Sequence, residues 1–251
     1  MNPIKLSVAI ITYNEEKNIE RCLKSIEPIA DEILVVDSFS NDETENICRN
    51  YNVRFIPNKF EGHIEQKNFA LKTAQNDIVL SLDADEALDE EAIAFIQKLK
   101  ENWIEASYEF RRKNNYCGKW LKHSGWYPDK KVRLLNRNKA KWTGTNPHDK
   151  LTSEESIKDA GGHILHYTIK NQTEHLRQIN YFTDISSQAL FTRGKKSSIA
   201  LIIVSPIFKF IRDYILKLGF LDGFEGFVIA ANSAHAKFQK YVKLYYLNKT
   251  K

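Results

Sequence analysis

Asp83 and Asp85 stand one residue apart, directly after Asp77-Ile78-Val79-Leu80-Ser81-Leu82, a run with the apolar, β-branched character of a buried strand. Two carboxylates so placed can reach one divalent cation. Carboxylate oxygens suit Mg²⁺ or Mn²⁺, and such an ion would neutralise a diphosphate. Acids can also simply open a helix, where they complement the positive end of its dipole. That bland reading fits Asp89, Glu90 and Glu91, a few residues on. Paired acids are a weak motif alone, and their weight depends on the elements that position them.

Those elements read as alternating strand and helix. Strands are expected at residues 6–12, 32–37, 53–56 and 77–82, and helices near 44–51, 64–74 and 90–99. A further helix after residue 14 carries Ile19, Cys22, Leu23 and Ile26 on one side, with Asn14 as its candidate cap. This succession predicts an α/β fold with a mostly parallel, doubly wound sheet. In such sheets ligands bind beyond the carboxyl ends of the strands. Thr12-Tyr13-Asn14, Asp37-Ser38 and Asp83-Ala84-Asp85 end three of these strands and are expected to share one crevice.

From residue 106 to about 167 short β-like runs alternate with aromatic-rich turns containing Trp120, Trp126, Tyr127 and Trp142. His163 and His166 lie three apart on one such run, hence on opposite faces. Beyond it the chain turns helical, with a helix to Thr192, another over 198–218 kinked or begun at Pro206, and a last one to about Tyr246. The expected organisation is a catalytic domain over 1–170, with halves at 1–105 and 106–170, then a helical region over 171–251.

The 251 residues are 42% hydrophobic and 27% charged, ordinary for a globular chain and against disorder. A net charge of +5 suits a nucleotide, an anionic membrane surface or a nucleic acid without requiring any of them. Three cysteines without CxxC spacing argue against a disulfide framework or zinc site and fit a reducing, cytoplasmic setting. No secretory signal and no membrane-spanning segment are expected. The C-terminal helices mix lysines and aromatics, so they read equally as packed helices with solvated lysines or as a segment lying on the cytoplasmic face of a membrane.

Four blocks together resemble the inverting nucleotide-sugar transferases of the GT-A fold, the glycosyl transferase family 2 type. They are residues 8–16 (VAIITYNEE), 33–44 (ILVVDSFSNDET), 66–71 (QKNFAL) and 82–86 (LDADE). The resemblance implies a UDP-type donor, Mn²⁺ or Mg²⁺, and a glycan or glycolipid acceptor, with no nucleic-acid partner. It places Thr12, Tyr13, Asn14 and Glu15 around the nucleoside and Asp37 at the base or ribose, with Asp42 nearby. It puts Lys67 and Asn68 near base and phosphates, Asp83 at ribose or metal, and Asp85 as main metal ligand. Lys67 stands where the family usually has arginine; read from the residues alone it is a solvated helix charge.

Residues 142–151 (WTGTNPHDKL) resemble the branch that glucosylates the lipopolysaccharide inner core, where a histidine precedes an acid. An inverting transferase needs one general base for the acceptor hydroxyl. The resemblance gives that role to Asp149, where glutamate is commoner, with Asp129 as rival. His148 could orient Asp149 or contact phosphate. His166 reads as an additional metal ligand or as a structural histidine. A nucleotidyltransferase would also use paired acids, but its usual Gly-rich loop is missing; a non-catalytic nucleotide or membrane module is the remaining alternative.

Overall fold

The computed structural model describes residues 3–145 and 148–249, except for the side chains of Thr145 and His148. The chain divides into two compact units, Met1–Arg112 with Asp129–Tyr167, and Lys113–Pro128 with Thr168–Lys251.

The first unit begins with β1 (Leu6–Thr12), α1 (Ile19–Ile26), β2 (Glu32–Asp37), α2 (Thr44–Arg49), β3 (Val53–Pro57), α3 (His63–Thr73) and β4 (Ile78–Asp83). β3, β2, β1 and β4 lie side by side and parallel, in that order. Their side chains alternate between two packed layers, as the period of two demands. Val8, Ile10, Val35, Leu80 and Leu82 join Cys22, Leu23 and Ile26 of α1 and Cys48 of α2 in one core. Ala9, Leu34, Val36 and Val79 face Ala70 and Leu71 of α3 in the other. Burial on both faces explains why these strands read as unbroken apolar runs.

Register matters for the site. Thr12 lies opposite Asp37, and Ile11 opposite Asp83, so three strands end together. Beyond β4 the sheet turns antiparallel. After β5 (Glu86–Leu88) and α4 (Glu90–Glu101) come β6 (Ser107–Tyr116), β7 (Lys119–Trp120), β8 (Asp129–Asn136), β9 (Ala140–Thr145), β10 (His148–Ser153) and β11 (Ile157–Ile169). The order continues β4-β8-β6-β11-β5, with β8 antiparallel to β4 and β5 antiparallel to β11. No helix separates β6, β8 and β11 in sequence, so the parallel half ends where the crossover helices end. β9 and β10 form a separate hairpin that contributes Trp142 and Leu151 to the α3-side core.

β5 lies between the paired acids and α4, where no strand was expected. Gly162 lets β11 press on the start of α4: its φ is +76°, and a Cβ there would lie 2.1 Å from the Ala92 nitrogen.

The second unit holds α5 (Gln172–Thr192), α6 (Ile199–Ile211), a π-helical turn (Arg212–Leu216), a 3₁₀ turn (Gly219–Asp222) and α7 (Gly223–Lys249). α6 runs through Pro206 and gives way at Arg212, short of the expected end at 218. Leu218 takes a left-handed φ of +56°, which stops the helix. Residues 113–128, expected with the acceptor half, belong with these helices. The reason is Asp222, whose buried carboxylate accepts from the backbone nitrogens of Lys122 and His123 at 3.2 and 2.8 Å. Tyr116, Gln172, His175 and Asn232 form a mutually hydrogen-bonded polar group in this unit, and burial holds the His175 imidazole below its ordinary pKa.

Candidate active site

The loop after β1 is locked to the loop after β2. Asn14, with φ +55°, donates its backbone N–H to Ser40 Oγ (2.8 Å) and accepts from the Asn41 nitrogen through Oδ1 (2.9 Å). It therefore does not cap α1, which starts only at Ile19. Glu15 donates its N–H to Thr44 Oγ1 and accepts from Asn18 Nδ2 at 2.6 Å. Asp37 is buried and accepts from the Ser40 nitrogen at 2.8 Å. Asp42 accepts from Glu16 and Thr44; burial works against its charge, but these bonds prevail and hold its carboxyl below the usual range. Thr12 is buried with its hydroxyl unpartnered, while the Tyr13 ring is exposed.

At the end of β4 the charges form an alternating chain. Asp149 Oδ2 lies 2.8 Å from Lys67 Nζ, which lies 3.0 Å from Asp83. Asp83 lies 3.0 Å from Arg133, Arg133 2.7 Å from Glu86, Glu86 3.0 Å from Arg112, and Arg112 2.7 Å from Asp129. Four acids thus alternate with three bases, and the two candidate proton acceptors occupy its ends. Lys67 is 5% exposed, with Nζ 4.4 Å from the centre of the Trp142 ring, so it is no solvated helix charge. Trp142 is itself core. Asn68 is engaged elsewhere: its amide both donates to and accepts from the Trp142 backbone at 2.9 Å, fastening β9 to α3.

Asp83, Glu86 and Asp129 are held ionised. Burial pushes the Asp83 carboxyl up, but Lys67 and Arg133 outweigh it and hold it far below the usual range. Glu86 is lowered against burial by Arg133 and Arg112, and Asp129 by Arg112 and Lys131. Arg133 is raised against burial by Glu86 and Asp83. A carboxyl lowered by folding stabilises the native state fully above its unfolded pKa, near 4, and loses that contribution as pH falls further. Thermal midpoints are therefore expected to hold steady from about pH 8 to 5 and to fall steeply below about 4. An unchanged midpoint at pH 3 would contradict this coupling.

Asp85 lies off the chain. Its Oδ2 is 3.1 Å from His166 Nε2, and its side chain is partly exposed. His163 turns instead to Asp89, with Nδ1 3.0 Å from Oδ2, so the two histidines serve different acids, as their spacing predicts. Asp83, Asp85 and His166 do not converge as one set, because Asp83 faces Lys67 and Arg133. Among the described residues, the metal-ligating side chains that do cluster within 4.8 Å are Asp89, Glu91 and His163. Asp89 Oδ1 there accepts from the Ala92 and His163 nitrogens, so this group is the start of α4 fastened to β11. The donor chemistry that fits a divalent ion beyond the strand ends is the carboxylate–imidazole pair of Asp85 and His166. The side chain of His148 lies outside the described residues.

Glu86, Arg112 and Arg133 went unassigned in the sequence reading. The available signal was Arg133 itself, a charge set between the apolar Val132 and Leu134-Leu135 of a strand.

Parallel strands ending together on an acidic crevice, followed by an antiparallel half that delivers further acids, define a glycosyltransferase of GT-A architecture. The profile of glycosyl transferase family 2 matches residues 7–161, and the chain belongs to that family. A glycosyltransferase of Rickettsia felis is 30% identical over 96% of this chain and 89% of its own length. LpsC of Rhizobium meliloti, a lipopolysaccharide core biosynthesis glycosyltransferase, is 27% identical over 96% of this chain and 92% of its own. The solved structure of S. aureus TarS covers 98% of this chain and 55% of that one, at 16% identity and a TM-score of 0.49. Among the described residues no helix is long and apolar enough to cross a membrane.

Proposed function

We propose that the protein is an inverting transferase. It moves a hexose, such as glucose, from a UDP-linked donor to a hydroxyl of a glycan or glycolipid in lipopolysaccharide or surface polysaccharide synthesis. The observation that carries this reading is Lys67, which ties Asp149 to Asp83 at the strand ends. The likeness to LpsC supports the acceptor class.

In this reading Thr12, Tyr13, Asn14, Glu15 and Asp37 shape the nucleoside side, with Asp83 at the ribose or beside the metal. Lys67 supplies positive charge between donor and base. Asn68 positions β9 and, through the hairpin, Asp149 on β10. Asp149 takes the proton of the acceptor hydroxyl as its oxygen attacks the anomeric carbon. The bond from that carbon to the diphosphate oxygen breaks, and the nucleoside diphosphate leaves with the electron pair. One displacement inverts the anomeric centre. Asp85 and His166 would hold Mn²⁺ or Mg²⁺, which when bound neutralises charge developing on the diphosphate.

The test is release of nucleoside diphosphate across UDP-, GDP- and dTDP-sugars with Mn²⁺ or Mg²⁺. Activity is expected with a UDP-hexose, and Asp85→Ala should reduce it by about 10²-fold or more. Full activity in that variant, or with EDTA present, would overturn the metal role. Silence with every donor would overturn the reading.

A further inference from the structure

α6 fully buries none of its 13 residues, although its sequence, IALIIVSPIFKFI, is apolar but for Ser205 and Lys209. Ile203, Val204, Ile207 and Phe208 on it, with Leu216 and Phe224 just beyond, are 56–74% exposed. A chain alone in water rarely displays a contiguous apolar face of this kind.

This face is held in place by its support. Asp213 is buried and accepts from Lys209 and Arg212. Gly219 and Gly226 bring the 3₁₀ turn and α7 into backbone contact, since a Cβ on Gly226 would lie 1.9 Å from the Gly219 carbonyl oxygen. Asp222 fastens the same turn to residues 122–123. Buried polar contacts and close backbone packing thus fix the turns that follow the apolar face.

Charge identifies the occupant. Arg193, Lys195, Lys196 and Lys217 are exposed around this segment. Its acids between 193 and 222 are Asp213 and Asp222, both buried and bonded internally. An apolar face with exposed cations and no exposed acid complements anionic lipid. A second copy fits poorly, because a two-fold contact through this face would set its cations against themselves. At about 1.5 Å per residue α6 is roughly 20 Å long, short of the roughly 30 Å hydrocarbon core, so it would lie in the interface plane. We propose that α6 and the turns after it dock the protein on the surface of a bilayer containing anionic lipid. This inference stands independently of the transfer reading.

The test is flotation of the full chain with vesicles of phosphatidylcholine alone or mixed with phosphatidylglycerol. The protein is expected to float with the mixed vesicles, less so at high salt, and to stay behind with phosphatidylcholine. Ile207→Glu with Phe208→Glu should weaken flotation about tenfold or more, given the apolar area the two side chains insert. Lys195→Glu with Lys196→Glu should weaken it several-fold. Both pairs sit on the surface, so circular dichroism and melting should not change. Flotation with neither vesicle, or equally with both, would overturn the proposal. So would a concentration-dependent dimer, by sedimentation, that the Ile207/Phe208 pair of substitutions breaks.

Discussion

Replacing Arg133 with methionine is expected to lower the melting temperature by roughly 6–20 °C. Arg133 is 2% exposed and lies 3.0 Å from Asp83 and 2.7 Å from Glu86. Methionine keeps much of the volume and removes the charge. Asp83 would retain Lys67 and Glu86 would retain Arg112, but each carboxylate would lose its partner from β8, Glu86 while fully buried and Asp83 while partly so. Breaking a buried pair from one side costs about 3–5 kcal/mol, and a chain of this size loses about 2–4 °C per kcal/mol. The check is a thermal melt against wild type, with Lys24→Met as comparison. Lys24 pairs with Glu20 on the surface and should leave the midpoint where it was. A loss under about 3 °C for Arg133→Met would show that the charge chain does not hold the crevice together.

The parallel half of the fold was legible because burial on both faces writes itself as unbroken apolar runs. The residues expected on the buried side of α1, Ile19, Cys22, Leu23 and Ile26, are the ones that face the core. The antiparallel half was harder. β5 is three residues long, and its identity as a strand depends on pairing with β11, about 75 residues away along the chain. No local pattern carries a partner that distant. Residues 113–128 carry no sign that Asp222 fastens them to the helices.

At the site, residue types were readable and their partners were not. Asp83 and Asp85 looked like one metal pair; Asp83, the last residue of β4, meets Lys67 and Arg133, while Asp85, two residues on, meets His166. Asn14 had the residue type and place of a helix cap, but its left-handed backbone turns it to the loop after β2. Lys67 had the look of a surface charge because an α3 sequence does not reveal the two acids that bury it. The exposed α6 was the reverse case. Its composition suited a packed helix and a membrane-lying one equally; the structure packs one side on α7, where Phe210 meets Phe227, and leaves Ile203, Val204, Ile207 and Phe208 exposed.

In the proposed mechanism the acid beside Lys67, and not the one beside Arg112, accepts the acceptor's proton. Burial raises the Asp129 carboxyl, but Arg112 and Lys131 override that and hold it below the usual range, which weakens it as a proton acceptor. Asp149 shares its lysine with Asp83, on the donor side. Asparagine at position 149 keeps the shape and removes the proton acceptor. The deciding measurement is the rate of nucleoside diphosphate release by Asp149→Asn, beside Asp129→Asn, with the donor that the screen identifies. Asp149→Asn is expected to lose about 10²–10⁴-fold in rate while still showing a thermal shift with UDP and Mn²⁺, and Asp129→Asn to lose far less. Wild-type turnover in Asp149→Asn, or the larger loss in Asp129→Asn, would contradict the account.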